Sequence, residues 1–194
     1  MSLKRIIALL IATTLAISLR AQIDNVFWFA APEISPNHAH NPITFCFTSF
    51  SSPATVTIMQ PANPAFTPVT VNLNAYSYYA LDVTSQESTV STAPVNTVCN
   101  YGFKIVSTAN ITTYYQLGAN NSEIYTLKGR NALGTDFTVP MQNLLVDGPP
   151  SDPRNSIEIV ATENNTTVTI IPSQPLTGGI PAGTPITITL NAGQ

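Results

Sequence analysis

Two histidines close together are the first residues whose type and spacing could do chemistry. His38 and His40 are the only histidines in the chain. On a strand, this spacing would place both imidazoles on one face, where they could bind a metal ion. The segment around them, SPNHAHNP, is rich in turn-forming residues, and Glu33 is the only acidic residue nearby. A polar loop is therefore the favoured interpretation, with a metal site as the alternative.

A second segment offers oxygen ligands for calcium. Asp147 and Asp152 lie in the run DGPPSDP, whose composition differs most from the rest of the chain. Carboxylates and backbone carbonyls are the ligands that Ca²⁺ takes, and a solvated loop is the alternative. On either interpretation, residues 147–155 are predicted to be a boundary loop between two parts of the chain.

The remaining titratable residues show no catalytic pattern. The ten acidic residues are mostly isolated in predicted turns, whereas a glycosidase needs two carboxylates that face each other. The nucleophile patterns G-x-S-x-G and S-x-x-K do not occur, and neither do the EF-hand, Walker or dinucleotide-binding glycine patterns. The sequence therefore predicts a protein that is not an enzyme and that has no cofactor.

Aromatic side chains are the more promising candidates for ligand contact. One of them belongs to the run Phe27-Trp28-Phe29, and tyrosines cluster on neighbouring predicted strands. Stacked aromatic rings can bind sugars or peptide segments. In the alternative interpretation, alternate rings fill the core and the others cover an exposed face of the sheet. The candidate contacts are Trp28, Tyr76, Tyr78, Tyr114 and Tyr115.

Charge and the first residues together indicate export and exclude nucleic acid as a partner. The formal net charge is −3, and residues 1–21 hold three of the seven cations, so the remainder has four cations against ten acidic residues and a charge of −6. Nucleic-acid binding needs clustered Lys and Arg instead. Lys4 and Arg5, the apolar residues 6–17 and the small Ala21 are typical of a secretory signal peptide.

The predicted signal peptide has two consequences. Its apolar run is shorter than the roughly 20 residues that cross a bilayer, and no later run is as long, so we predict a secreted or cell-surface protein without a transmembrane segment after cleavage. An oxidising compartment also permits a disulfide between Cys46 and Cys99, the only two cysteines. Two buried free thiols are the alternative.

Alternation of apolar and polar residues predicts an all-β fold. After residue 22 almost every segment is a short run of β-branched and aromatic residues, as in Val56 and Ile58 against Thr55 and Thr57. Pro, Gly and Asn clusters separate these runs at the spacing of short hairpins. The pattern favours an antiparallel β-sandwich over residues 22–146, followed by a second, similar β module that begins at residues 156–194.

The second module is predicted from an internal repeat. Residues 43–58 align with residues 157–170 across a two-residue gap, and residues 68–75 align with residues 185–192. Each copy has a strand pair, a proline-rich turn and a strand that ends in Leu-Asn-Ala. We therefore predict the same three-strand unit twice, with the second unit lacking the strands that complete the first.

Several segments together resemble a known family. They are FWFAAPE at residues 27–33, the strand pair ITFCFTSF and ATVTI, residues 100–118, residues 131–139 and IEIVATENNTTVTI at residues 157–170. Over roughly residues 26–194 the chain resembles the N-terminal domain of IgGFc-binding proteins. In bacteria this domain resembles the front end of large exported proteins of gliding, Bacteroidetes-type organisms, which usually carry a type IX sorting tail. No such tail is visible, and the second copy stops at Gln194 without partner strands, so the chain is interpreted as an N-terminal fragment, or an early stop, of a longer surface protein.

The resemblance implies a function but no site. It implies a secreted or cell-surface, non-enzymatic binding or adhesion module, whose ligand is an extracellular glycan, a mucin or a protein. The family has no catalytic or binding motif to transfer to residues of this chain. The alternative is an accessory or spacer β-domain of a larger secreted hydrolase, which a catalytic domain in a longer reading frame would reveal.

Overall fold

The protein is all-β, as the alternating sequence predicts. The structure, a computed structural model, describes residues 22–33, 41–118, 123–141 and 155–194. Every pairing between the strands in these ranges is antiparallel. The strands are β1 Asp24–Phe29, β2 Ile43–Ser49, β3 Ala54–Met59, β4 Val69–Leu73, β5 Tyr78–Asp82, β6 Phe103–Leu117, β7 Glu123–Thr126, β8 Thr166–Ile170 and β9 Ile186–Leu190.

Helical structure is limited to short turns in the described ranges. A 3-10 turn at Thr84–Gln86 leads into α1, Glu87–Val90, and a second 3-10 turn covers Gly129–Ala132. None of these helices is long and apolar enough to span a membrane.

The long strand β6 organises a seven-stranded sheet. Residues 104–106 of β6 pair with both β1 and β3, and residues 114–117 pair with both β2 and β7. One edge of β6 is therefore lined first by β1 and then by β7, and the other first by β3 and then by β2. Strands β4 and β5 pair with the outer sides of β3 and β2.

A bend in β6 brings the two halves of this sheet together. A straight strand would separate Phe103 from Tyr115 by about 40 Å, at about 3.3 Å per residue. The ring of Phe45 nevertheless lies 5.0 Å from the Phe103 ring and 5.2 Å from the Tyr115 ring, between centroids. The bend falls near residues 107–111, where the register with β1 also shifts. The two layers of the predicted sandwich are therefore halves of one continuous sheet.

The aromatic core fills the space between the two halves. Phe27, Phe45, Phe47 and Phe103 are fully buried, and the alternate residues of each strand face outward. Phe29 at the end of β1 packs against Tyr115 of the other half, with ring centroids 5.0 Å apart. Burial of such large apolar side chains is the main favourable term in folding.

Part of the repeat predicted from the sequence is visible, as two hairpins with the same register. Val56 faces Val71 and Ala54 faces Leu73 in the β3–β4 pair. At the aligned positions of the β8–β9 pair, Val168 faces Ile188 and Thr166 faces Leu190. A backbone bond outside the hairpin also recurs, because the N–H of Ser49 donates to Ser77 O and the N–H of Ala161 donates to Gln194 O.

The first strand of each copy differs from the prediction. β2 does not form a hairpin with β3, since both pair with successive parts of β6. In the second copy, residues 157–162 form no strand. The physical reason is which strands are available for pairing. β2 pairs with β5 on one side and β6 on the other, so it has no free edge for β3. No described strand lies beside residues 157–162.

Some predictions fall outside the described residues. They concern the signal peptide, the histidines His38 and His40, and Asp147 and Asp152 of the predicted boundary loop.

A buried carboxylate joins β1 to the turn that follows β7. Asp24 accepts hydrogen bonds from the backbone N–H groups of Asn25 and Arg130, each at 2.7 Å, and from the Arg130 guanidinium at 2.5 Å. Gly129 allows this approach, because a Cβ atom there would lie 2.4 Å from that of Asp24. Burial alone would raise the pKa of Asp24, but these hydrogen bonds and the Arg130 charge outweigh it and leave the pKa below its usual value.

We expect Asp24→Asn to lower the free energy of unfolding at pH 7 by about 2 kcal/mol, since charged hydrogen bonds are lost. A carboxylate with a lowered pKa in the folded state stabilises fully above its unfolded pKa of about 3.9, and this contribution is lost as the pH falls through the folded pKa. Denaturant unfolding measured at a series of pH values from 7 to 2 gives the free energy of unfolding of both proteins. The difference between wild type and variant should disappear at the lowest pH values. Asp136→Asn, at an exposed carboxylate, is the control.

Removal of the Tyr115 hydroxyl from the core should be harmless. Tyr115 is fully buried, and its hydroxyl has no hydrogen-bond partner among the described residues. An unpaired buried hydroxyl costs about 1–3 kcal/mol, so Tyr115→Phe should leave the free energy of unfolding unchanged or raise it by about 1 kcal/mol. Tyr115→Ala should lower it by about 3–5 kcal/mol. Denaturant unfolding measures both, and a clear loss of stability in Tyr115→Phe would contradict this account.

Candidate functional site

Exposed tyrosines gather at the edge strand β5. Tyr76, Tyr78 and Tyr79 lie within four consecutive positions and are 80%, 55% and 45% exposed. Tyr78 and Tyr79 are consecutive on β5 and therefore point to opposite faces of the sheet. We call the three residues at this edge the tyrosine surface. Large aromatic rings that remain exposed are characteristic of binding surfaces, because burying them against a partner is strongly favourable.

One tyrosine of this surface is held by a buried thiol. Cys46 lies between the core residues Phe45 and Phe47, so its side chain faces the outer side of the sheet, yet it is fully buried. The Tyr78 hydroxyl donates a hydrogen bond to Cys46 Sγ at 3.1 Å. Hydrogen bonds with Cys46 and Tyr114, and partial burial, raise the pKa of Tyr78. This cluster fixes the Tyr78 ring against the sheet.

A buried serine holds the turn that presents Tyr76. The Ser49 hydroxyl donates to Asn74 O and accepts from the Ser77 N–H at 3.0 Å. The Tyr76 N–H donates to Phe50 O at 2.7 Å. Between these bonds Tyr76 adopts a φ of +54°, the left-handed conformation, which costs a residue with a bulky Cβ about 1–2 kcal/mol.

The repeat supplies an internal comparison for this turn. Leu73-Asn-Ala-Tyr76 aligns with Leu190-Asn-Ala-Gly193, and Gly193 also has a positive φ, +86°. Glycine adopts this conformation without strain, so tyrosine is the costly residue at this position. Because the Tyr76 side chain is mostly exposed, no packing within the described chain offsets that cost. Strain of this kind often marks a functional residue.

Of the other candidate residues, Tyr114 contacts Tyr78, whereas Trp28 and Tyr115 lie apart from this surface. Trp28 is half-buried, and Lys104 Nζ lies 5.2 Å from its ring centroid, a cation–π contact. Tyr115, expected among the ligand contacts, is a core residue because its register on β6 points it inward.

The two cysteines are free thiols rather than the bridge that an oxidising compartment permits. Cys99 is half-buried and contacts Ala93 O at 3.4 Å, whereas Cys46 contacts Tyr78. Burial first, and then the charge of Glu33, raise the pKa of the Cys99 thiol. Both effects make it a weaker nucleophile.

A second candidate site is a polar groove that the sequence did not indicate. It has a volume of about 460 Å³ and lies where the second hairpin meets the main sheet. Gln194 Nε2 donates to Asn100 Oδ1 across this junction at 2.8 Å, and the Gly102 N–H donates to Gly193 O at 3.0 Å. The lining residues are Pro61, Ala62, Asn100, Asn164, Asn165, Asn191, Ala192 and Gln194. We call this the amide groove.

Hydrogen bonds fix which way the groove amides point. Asn164 Oδ1 accepts from the Ala192 N–H at 3.1 Å, and Asn191 Oδ1 accepts from the Asn165 N–H at 3.2 Å. A backbone N–H can only donate, so the atom that accepts each of these bonds must be the amide oxygen. The NH₂ groups of Asn164 and Asn191 are then left as donors. A neutral groove with several donors suits oxygen acceptors, such as sugar hydroxyls or peptide carbonyls.

Neither a cluster of metal ligands nor a sequence motif indicates these two sites. Within the described ranges no three His, Cys, Asp or Glu side chains come together as a metal centre would require. The repeated Leu-Asn-Ala was visible in the sequence, but only the folded turn shows that Asn191 bonds to the start of β8 and that Tyr76 is strained.

Comparisons with known proteins agree with part of the family resemblance. The model of the family described as "IgGFc binding protein" matches residues 123–194, which include β7 and the second hairpin. No curated protein matches the chain. A crystal structure of Thermotoga maritima 1070 is 14% identical, covers 54% of this chain and 96% of its own, and has a TM-score of 0.32. A likeness at that score carries no argument about fold or function.

We expect the two aligned turns to respond oppositely to substitution. Tyr76→Asn should keep or raise the free energy of unfolding by up to about 1 kcal/mol, because asparagine tolerates the left-handed conformation. Gly193→Ala should lower it, because a Cβ atom there would lie 2.9 Å from Ala62 N and 3.1 Å from Pro61 Cδ. Thermal unfolding of both variants measures this. A loss of stability in Tyr76→Asn as large as that in Gly193→Ala would contradict the assignment of strain.

Proposed function

We propose that this protein is a secreted or cell-surface, non-enzymatic binding or adhesion module that binds a protein partner through the tyrosine surface. The observation that carries the proposal is Tyr76, a strained and largely exposed aromatic residue at a position where the second copy has an unstrained glycine. Its cost to folding is explained if the ring is buried only when a partner binds.

Protein is the partner class that the chemistry favours. Tyrosine is enriched among the residues that dominate protein–protein binding energy, because it buries a large rigid surface at a small cost in side-chain entropy. The family that matches residues 123–194 bears the name of a protein that binds the Fc region of immunoglobulin, and this name also points to a protein ligand. Glycans and mucins remain ligands that stacked aromatic rings could bind.

Export and the absence of catalysis belong to the same proposal. The low charge and the signal-like residues 1–21 support secretion, and the resemblance supports an exported surface protein of a gliding bacterium that uses type IX secretion. The Asp24 carboxylate is paired with Arg130, and the Glu123 carboxylate accepts a hydrogen bond from the Tyr125 hydroxyl. These bonds support structural roles for both carboxylates. Purified protein should hydrolyse no glycoside, peptide or ester.

Binding measurements on immobilised ligands test the proposal. Purified protein should bind an immunoglobulin Fc fragment or a mucin by surface plasmon resonance, and Tyr76→Asn should weaken the binding at least tenfold, about 1.4 kcal/mol. Phe137→Asn is the matched control, because Phe137 is 64% exposed but lies outside the tyrosine surface. Equal binding by both variants, or binding that enzymatic removal of the mucin glycans abolishes, would contradict a protein partner held by Tyr76.

A further inference from the structure

The amide groove presents hydrogen-bond donors whose direction is fixed. Backbone bonds leave the NH₂ groups of Asn164 and Asn191 as donors, and a third amide is oriented through Gln194. The Asn191 N–H donates to Gln194 Oε1 at 2.8 Å, so Gln194 Nε2 must be the atom that donates to Asn100 Oδ1 at 2.8 Å. The NH₂ group of Asn100 is then also left as a donor. Three NH₂ groups of known direction therefore line one groove.

A chain that continues past Gln194 would not need to fill this groove, as the first copy shows. At the aligned turn, Ser52 takes the place of Asn164 and Ser77 the place of Gln194. The chain continues from Ser77 into β5, which pairs with β2. Ser51 and Ser52 nevertheless line a groove of about 420 Å³ at this turn. The groove is therefore a property of the turn in both copies.

The lining of the amide groove favours a neutral, polar ligand. None of its eight residues is ionisable and the whole chain has a net charge of −3, so an anion would meet no opposite charge here. A peptide obtains its specificity from pockets that hold its side chains. Only Pro61, Ala62 and Ala192 of the lining are apolar, and they offer little to such side chains.

We infer that the amide groove binds a neutral sugar that carries an N-acetyl group. A sugar hydroxyl both donates and accepts, whereas the N-acetyl carbonyl only accepts and is the better match for NH₂ groups that only donate. Ring hydroxyls accept from the remaining NH₂ groups. The volume of about 460 Å³ lies in the range of about 300–1,000 Å³ that is usual for small-molecule sites. This site is additional to the protein partner proposed for the tyrosine surface.

N-acetylglucosamine is a suitable probe, and glucose, which has a hydroxyl in place of the N-acetyl group, is its control. Added to the isotope-labelled full chain, N-acetylglucosamine should give saturable shifts of the side-chain NH₂ signals of Asn100, Asn164 and Asn191 in nuclear magnetic resonance spectra. Its Kd should be lower than that of glucose by at least about tenfold. Equal affinity for the two sugars would overturn the proposal. The comparison uses only the wild-type protein, so it does not depend on the folding of a variant.

Two matched variants locate the sugar in the groove. Asn164→Asp keeps the oxygen that accepts from the Ala192 N–H but replaces the NH₂ donor with a second carboxylate oxygen. It should weaken the binding of N-acetylglucosamine by at least about tenfold. Asn72→Asp is the control, because the exposed Asn72 also accepts through Oδ1, from the Thr55 hydroxyl, and lies on β4 outside the groove. The same affinity in both variants would contradict a sugar held by Asn164.

Two further measurements distinguish this proposal from a peptide ligand and from the tyrosine surface. N-acetylglycine N-methylamide carries the same carbonyl without a sugar ring, and equally tight binding of this compound would overturn the sugar in favour of a peptide. Tyr76→Asn should bind N-acetylglucosamine as wild type does, because Tyr76 does not line the groove. Loss of sugar binding in this variant would overturn the assignment to the groove, whereas loss of protein binding alone concerns only the tyrosine surface.

Discussion

The bend of β6 is the constraint on which the rest of the structure depends. Because β6 turns near residues 107–111, Phe45 contacts rings from both ends of the same strand, and one sheet encloses its own core. The enclosed core in turn determines which side chains of the adjoining strand β2 point inward. Phe45 and Phe47 enter the core, so Cys46 must face outward, where Tyr78 binds it. The tyrosine surface is thus a consequence of how the core is packed, although none of its rings belongs to the core.

The repeat predicted the same three-strand unit twice, of which only the last two strands form the same hairpin in both copies. Alternation in the sequence was enough to predict the strands. It could not predict which strands become neighbours. Alternation states that Tyr114 and Tyr115 lie on opposite faces, but only the pairing of β6 with β2 decides that Tyr115 enters the core. In the same way, residues 157–162 have a strand-like sequence but no described partner strand. The two backbone bonds that Ala161 makes with Gly193 and Gln194 are too few to form one.

The candidate sites were harder to predict than the fold because backbone conformation and hydrogen-bond direction create them. The sequence showed that Asn191 and Asn74 occupy the same place in two copies. It did not show that the Asn191 amide oxygen accepts a backbone bond, which leaves its NH₂ group for the amide groove. A sequence also does not show φ angles. The strain at Tyr76 follows from its positive φ in the folded turn, at the position where the second copy has Gly193.

The two versions of this turn differ in how freely they can change. Gly193 is enclosed by Pro61 and Ala62, so any larger side chain would separate the second hairpin from the main sheet. Tyr76 has no such neighbour, and most of its surface meets solvent. The turn is thus duplicated, with one copy enclosed and the other exposed. At the exposed copy a substitution changes only the local backbone strain. In a chain built from such copies, recognition could diversify at the open turns while the confined ones preserve the assembly.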